Sequence, residues 1–265
     1  MSAMPAPLLL DLPDGPKFKE YEKEAQSILP TGSYAVVRMD GKNFSNYTKR
    51  FARPYDYSFM EAMDETTRQL CANIPGVVLG YTQSDEISII FSDLQNEKSQ
   101  MWLGGKLSKI LSLSSATCTA LFIRQMGLGD DDSQIPVFDA RCHTLSGPDE
   151  IQEYTRWRRF DAQKNSVTMA ANVLHSHSFL QGISSKGRLS LLEGTDYEKL
   201  PEGFYNGRVT YREQYVEQGF RVLGPQHKVA ESLPMDVVRS RWVTEPATRA
   251  FMEGKFLELI TPKER

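Results

Sequence analysis

The chain has 265 residues, 40% hydrophobic and 25% charged, which is the balance of an ordinary globular fold and excludes a disordered or fibrous chain. Its 31 basic and 34 acidic residues leave a formal net charge of -3, so there is no global electrostatic footprint for nucleic acid, and any RNA contact must use local patches. Cys71, Cys118 and Cys142 form no close pair, which argues against a disulfide framework or a zinc site, and no apolar run reaches the length of a membrane span. A reducing, cytoplasmic setting fits this composition best.

Residues 1–16 hold Pro5, Pro7, Pro13 and Pro16 and read as a flexible arm; no basic region precedes Leu8-Leu9-Leu10, so a signal peptide is not expected. From Lys17 to Leu29 the pattern is charged and helical until Pro30-Thr31-Gly32 breaks it. The apolar run Tyr34 to Val37 then predicts a strand ending at Asp40-Gly41. A helix is predicted from about Phe59 to Asn73, with Asp56 or Ser58 as its N-cap. Two β-rich runs follow, Val77 to Thr82 and Ile87 to Phe91, separated by Gln83-Ser84-Asp85-Glu86, the pattern of a hairpin whose turn carries carboxylates. A helical stretch from Glu97 to Gln125 and a strand from Pro136 to Ala140 complete the series.

That order, strand, helix, strand, strand, helix, strand, predicts an α+β fold of the ferredoxin-like split βαβ type: an antiparallel sheet with helices on one face. Residues 17–147 would form this catalytic core. Residues 148–221 would add a helical and β-hairpin part of the same unit, with a helix from Pro148 through Leu174, a loop-rich stretch from Gly182 to Gly194 and a strand from Arg208 to Tyr211. Residues 222–265 read as a C-terminal extension with a polar helix near Ala247 to Phe256.

In this topology Asp40, at a strand end, and Asp85, at the hairpin tip, become neighbours. Two such carboxylates suit a pair of Mg2+ ions for in-line phosphoryl displacement, and Gly41 lets the backbone come close to a triphosphate. Glu86 is then either a further ligand or a carboxylate behind the first two. The same residues also read as a plain strand-ending turn and a solvated hairpin tip, and spacing alone leaves both readings open. Other features point nowhere: Gly104-Gly105-Lys106 lacks Walker spacing, and His175 and His177 share no helix face and have no cysteine partner.

The string Arg38-Met39-Asp40-Gly41-Lys42-Asn43-Phe44, followed by Tyr81-Thr82-Gln83-Ser84-Asp85-Glu86-Ile87-Ser88, resembles the tRNA-His guanylyltransferase family, and within it the bacterial and archaeal Thg1-like 3′–5′ polymerases. The similarity extends through Trp102, Lys106 to Lys109, Phe138 to Arg141 and Tyr154 to Arg158. The resemblance implies a polymerase-palm-like nucleotidyltransferase that adds nucleotides to the 5′ end of tRNA, in the 3′–5′ direction, after ATP or GTP activates the end. It implies two Mg2+ ions on Asp40, the Gly41 carbonyl and Asp85. It further implies nucleoside triphosphate binding by Gly41, Lys42, Asn43, Phe44 and Ser45 with Lys106 and Lys109, which are read as lying three apart on one helix face. Arg53, Ser84 and Asn165 fall at positions for 5′-end activation. Arg156, Arg158, Arg159 and Lys164 form a basic cluster suited to RNA phosphates.

One segment departs from the eukaryotic members. Where they carry a His-Ile-Asn-Asn motif, this chain reads Gln163-Lys164-Asn165-Ser166, with Gln163 in place of the histidine. That favours template-dependent repair of truncated tRNA over selective guanosine addition to tRNA-His. A homo-tetramer is the family's implied assembly. The alternatives are a palm-type nucleotidyl cyclase and a non-catalytic RNA-binding protein on the same fold.

Overall fold

Six strands build one antiparallel sheet: β1 Tyr34–Lys42, β2 Val77–Gln83, β3 Glu86–Ser92, β4 Val137–Leu145, β5 Arg208–Val222 and β6 Ser232–Pro246. Their spatial order is β4-β1-β3-β2-β5-β6. The computed structural model describes residues 15–128, 135–222 and 232–261. The arm expected at 1–16 therefore lies outside the described residues but for its last two positions, which belong to helix α1, Gly15–Glu24.

Ala35, Val36, Val37 and Met39 of β1 are all fully buried. Such a continuous apolar run is what a strand needs when both faces of its sheet are covered. Ala35, Val37 and Met39, with Ile87, Ile89 and Phe91, pack against helices α3 (Tyr57–Asn73) and α4 (Leu107–Met126), with the short α2 (Phe44–Tyr47) at one end. The two palm helices thus share one face, as the sequence order predicts. The opposite face is covered as well. There Val36, Leu79, Tyr81, Ile90 and Val209 meet α5 (Pro148–Leu174), α9 (Arg249–Glu253) and α10 (Lys255–Ile260). A small third cluster seats the end of α5 on α6 (His177–Leu180) and the segment carrying α7 (Ser185–Ser190) and Leu192. Helix α8, Glu202–Asn206, leads directly into β5.

Asp56 rather than Ser58 caps α3, accepting from the Phe59 amide at 3.0 Å and from the Ser58 hydroxyl at 2.6 Å. The helix expected from Glu97 begins only at Leu107, because Leu103, Gly104 and Gly105 adopt positive φ of 55°, 63° and 71° and cannot continue a right-handed helix. Lys106 consequently sits at the N-cap of α4, bridged to Ile28, and not on the helix face with Lys109. The loop expected between Gly182 and Gly194 contains α7, capped by the Ser184 hydroxyl on the Gly187 amide at 3.2 Å.

β5 runs eleven residues past the expected Tyr211, paired with β6 from Arg208 with Pro246 out to Val222 with Ser232. Residues 214–218 are exposed on both faces, so this ribbon has no apolar side from which a period of two could be read. Among the described residues, no helix is long and apolar enough to cross a membrane.

Candidate active site

The end of β1 lies between two other strands. Asp40 is opposite Glu86 of β3 on one side and Asp139 of β4 on the other, and the Gly41 amide donates to the Asp85 carbonyl at 3.2 Å. Ser84, with φ of 48°, occupies the left-handed region that makes the β2–β3 turn tight enough to hold Asp85 there. Asp40, Gly41 and Asp85 are therefore brought together as predicted. Asp85 is half-buried, and burial pushes its carboxyl up from the usual range, with the nearby Asp40 charge adding to the rise and a Ser84 hydrogen bond opposing it. Arg141 approaches Asp40 only at 3.8 Å, from the exposed edge strand.

Two close carboxylates, one desolvated, concentrate negative charge that a divalent cation would neutralise. Among the described residues, no group of three His, Cys, Asp or Glu gathers as a metal cluster. Two carboxylates and the Gly41 carbonyl nonetheless form a set of hard oxygen donors, and Mg2+ commonly takes one or two carboxylates and completes its shell with water and substrate phosphate. The donor set fits Mg2+.

The turn after Asp40 is fixed from below. A side chain on Gly41 would place its first carbon 2.3 Å from the Phe44 ring. That ring is buried among Tyr47, Phe59, Phe122 and Phe138, so Phe44 acts as a wedge under the backbone and is not a free contact. Asn43 takes φ of 57° and starts α2. Lys42, Asn43 and Ser45 stay exposed around the turn.

Beside this turn opens a cavity of about 580 Å³, whose lining includes Ser45, Arg53, Ser84, Asp85 and Asn165. The three residues expected at an activation site, Arg53, Ser84 and Asn165, thus share one cavity with Asp85, although they are far apart in the chain. Phe59, Met60 and Phe204 supply apolar wall, and Lys49 adds a second cation beside Arg53. Asn165 donates to Gln83 at 3.4 Å, joining α5 to the β2–β3 hairpin. Lys49 and Gln83 escaped the sequence reading, although Lys49 stands in the basic run Thr48-Lys49-Arg50 and Gln83 in the polar turn itself. Lys106 and Lys109 do not line this cavity; they mark the start of α4.

The basic cluster divides. Arg158 is buried and donates to Glu86 at 2.7 Å, with Asp161 at 3.7 Å, so it is withdrawn from solvent and from the phosphate role expected of it. Arg38 lies 3.7 Å from the same Glu86 oxygen. Glu86 is therefore held by two arginines behind the site. Arg159 is likewise anchored inward, donating to the Ala247 carbonyl at 2.7 Å and to Asn206 at 2.8 Å. Gln163 joins the same Asn206 oxygen at 3.0 Å. Arg156 and Lys164 alone of the four expected cations remain exposed.

The family model described as tRNAHis guanylyltransferase matches residues 15–146. A solved bacterial tRNA(His) guanylyltransferase (Thg1)-like protein in complex with ATP matches with a TM-score of 0.76 and 30% identity, over 93% of this chain and 98% of that one. The chain belongs to the tRNA(His) guanylyltransferase family. A bacterial Thg1-like protein in complex with GTP matches with a TM-score of 0.73 and 29% identity, over 93% and 98% of the two chains. The Neurospora crassa tRNA(His) guanylyltransferase is 27% identical over 222 residues, 76% of this chain and 73% of its own. An uncharacterised protein of Acanthamoeba polyphaga mimivirus reaches 35% over 208 residues, 70% of this chain and 71% of its own. As a guanylyltransferase-family protein, the chain is a nucleotidyltransferase on a palm-type fold.

Proposed function

We propose that this protein adds nucleotides to the 5′ end of tRNA in the 3′–5′ direction, restoring truncated ends against the opposite strand after ATP or GTP activates the 5′-phosphate. The observation that carries this reading is the cavity in which Arg53, Ser84 and Asn165 lie with Asp85. Relatives solved in complex with ATP and with GTP support nucleotide binding by this chain.

In the first step a 5′-phosphate oxygen attacks the α-phosphorus of ATP or GTP and pyrophosphate leaves. In the second, the 3′-hydroxyl of the incoming nucleotide attacks the activated 5′-phosphate and the nucleoside monophosphate leaves. Asp40, the Gly41 carbonyl and Asp85 would hold two Mg2+ ions, which neutralise phosphate charge and acidify the attacking oxygen. The chain's own contribution is positioning, which is most of what phosphoryl transfer asks of a protein. Arg53 and Lys49 balance phosphate charge at the cavity, Ser84 fixes the Asp85 turn, and Asn165 holds the hairpin to α5. Lys42, Asn43 and Ser45 around the turn, with Lys106 and Lys109 at the start of α4, would hold the incoming triphosphate.

The bonding of Gln163 to Asn206 supports the repair reading, because that side chain serves an internal contact and not an RNA base. In a tetramer of cytoplasmic setting, the exposed Arg156 and Lys164 of one copy would hold tRNA for the carboxylates of another.

The test is extension of a 5′-monophosphorylated tRNA lacking its first nucleotide, with Mg2+, ATP and all four nucleoside triphosphates. Template-complementary addition by the wild type and none by a folded Asp85→Ala variant is the expected result. Pyrophosphate release from a triphosphate without RNA, or Mg2+-indifferent tRNA binding with no addition, would overturn it.

A further inference from the structure

Trp157 stands on α5 next to Arg158 and is half exposed at 51%. Its ring is held from several sides. The Arg158 guanidinium lies 3.5 Å from the ring centroid, the Arg38 guanidinium 5.7 Å, and the Tyr154 ring meets it edge-on at 5.8 Å. Each of these holders is itself fixed. Arg158 donates to Glu86 at 2.7 Å, Tyr154 shares a hydrogen bond with Ser88 at 2.8 Å, and Arg38 is a β1 residue with Glu86 at 3.7 Å.

This place borders the metal carboxylates. Arg38 precedes Asp40 by two residues, so the two side chains project on the same face of β1. Arg141 is the register partner of Arg38 and also lies 3.8 Å from Asp40. The charges around the ring are already matched: Arg38 and Arg158 by Glu86 and Asp161, Arg141 by Asp40 and Asp139. A phosphate would find little unpaired cation here. What the place offers is a flat, rigid, exposed ring with cations packed against it, and base–aromatic stacking is tolerant of base identity.

We infer that Trp157 is a stacking platform for a nucleobase presented to Asp40 and Asp85. This rests on the 5′-end reading, in which the two sources of such a base are the RNA 5′ terminus and the incoming nucleotide.

The experiment uses 2-aminopurine, whose fluorescence falls on stacking, with the full-length protein. One arm places it at the 5′ terminus of truncated tRNA, the other supplies it as a free triphosphate. Wild type and Trp157→Phe should quench one of the two probes, identifying the source, and Trp157→Ala should lose that quenching and bind it about tenfold more weakly. Equal quenching by wild type and Trp157→Ala in both arms would overturn the inference. So would a change of oligomeric state on sedimentation with binding unchanged, which would assign the ring to a second copy of the chain. Thermal melting of both variants checks the fold. Tip extension is measured in parallel: loss of quenching without any extension by wild type retains the platform and removes the repair reading, and extension with unaltered quenching does the reverse.

Discussion

Glu86 accepts a hydrogen bond from Arg158 at 2.7 Å, with both side chains buried, and Glu86 is the residue directly after Asp85. Helix α5 thereby grips the turn that carries Asp85. Burial raises the Glu86 carboxyl while Arg158 and Arg38 hold it down. Removing Arg158 leaves a buried carboxylate with only the more distant Arg38, and breaking a buried pair in this way costs about 3–5 kcal/mol. Arg158→Ala should lower stability by that order in urea unfolding. The double variant Arg158→Met with Glu86→Met should recover only part of the loss, because the buried carboxylate is removed while Arg38 and Asp161 lose their partners.

Asp85 shows the opposite balance between stability and function. Its carboxyl is pushed up from 3.8 by burial and by Asp40, so the fold penalises its ionised form. For a carboxyl raised in the folded state, metal-free stability falls as pH rises from the ordinary value toward the raised one, and the penalty persists at neutral pH. Asp85→Asn should therefore melt higher than wild type without metal. Added Mg2+ should raise the melting temperature of wild type and leave Asp85→Asn unmoved. A metal-free variant less stable than wild type would refute the charge argument.

The core was legible because its strands are apolar runs bounded by turn residues and α3 carries a cap at Asp56. The end of β1 was legible from the strings around Asp40 and Asp85. The roles of the arginines were not. Charge alone does not separate Arg156 from Arg158, two residues apart on one helix, yet one is exposed and the other buried. The helical period could have done so, since Ile151, Tyr154, Thr155, Arg158 and Ala162 form one buried stripe. The partner of Arg158 lies 72 residues away, and no local pattern announces such a pair. β6 went unread for a different reason: residues 236–241 are mostly exposed and join β5 by backbone hydrogen bonds and exposed cross-strand pairs such as Arg239 with Glu217, which no apolar pattern announces.

Under the proposed function the cavity serves activation and not transfer. Arg53 and Asn165 line it, while Lys42 and Lys109 do not. Arg53→Ala and Asn165→Ala should slow extension of 5′-monophosphorylated tRNA, Arg53→Ala by about 10–100-fold if one charge-assisted hydrogen bond to phosphate is lost. A 5′-triphosphorylated tRNA already carries a leaving group, so the same variants should extend it at near wild-type rates. Equal losses on both substrates, measured under single turnover, would show that the cavity serves the transfer step.

The exposed and buried cations of α5 make contrasting predictions about RNA. Arg156 and Lys164 reach solvent and, as phosphate contacts, should each reduce the salt slope of tRNA binding by about 1 when changed to alanine, with the melting temperature unchanged. Arg159 is spent on the Ala247 carbonyl and Asn206, joining α5 to the segments that flank β5 and β6. Arg159→Ala should instead leave the salt slope intact and destabilise the fold, since it strands the Ala247 carbonyl at about 1–3 kcal/mol, while the Asn206 oxygen keeps Gln163. Binding titrations at several salt concentrations, paired with melting curves, distinguish the two behaviours. A salt slope altered by Arg159→Ala and not by Arg156→Ala would place the RNA on the opposite side of the helix.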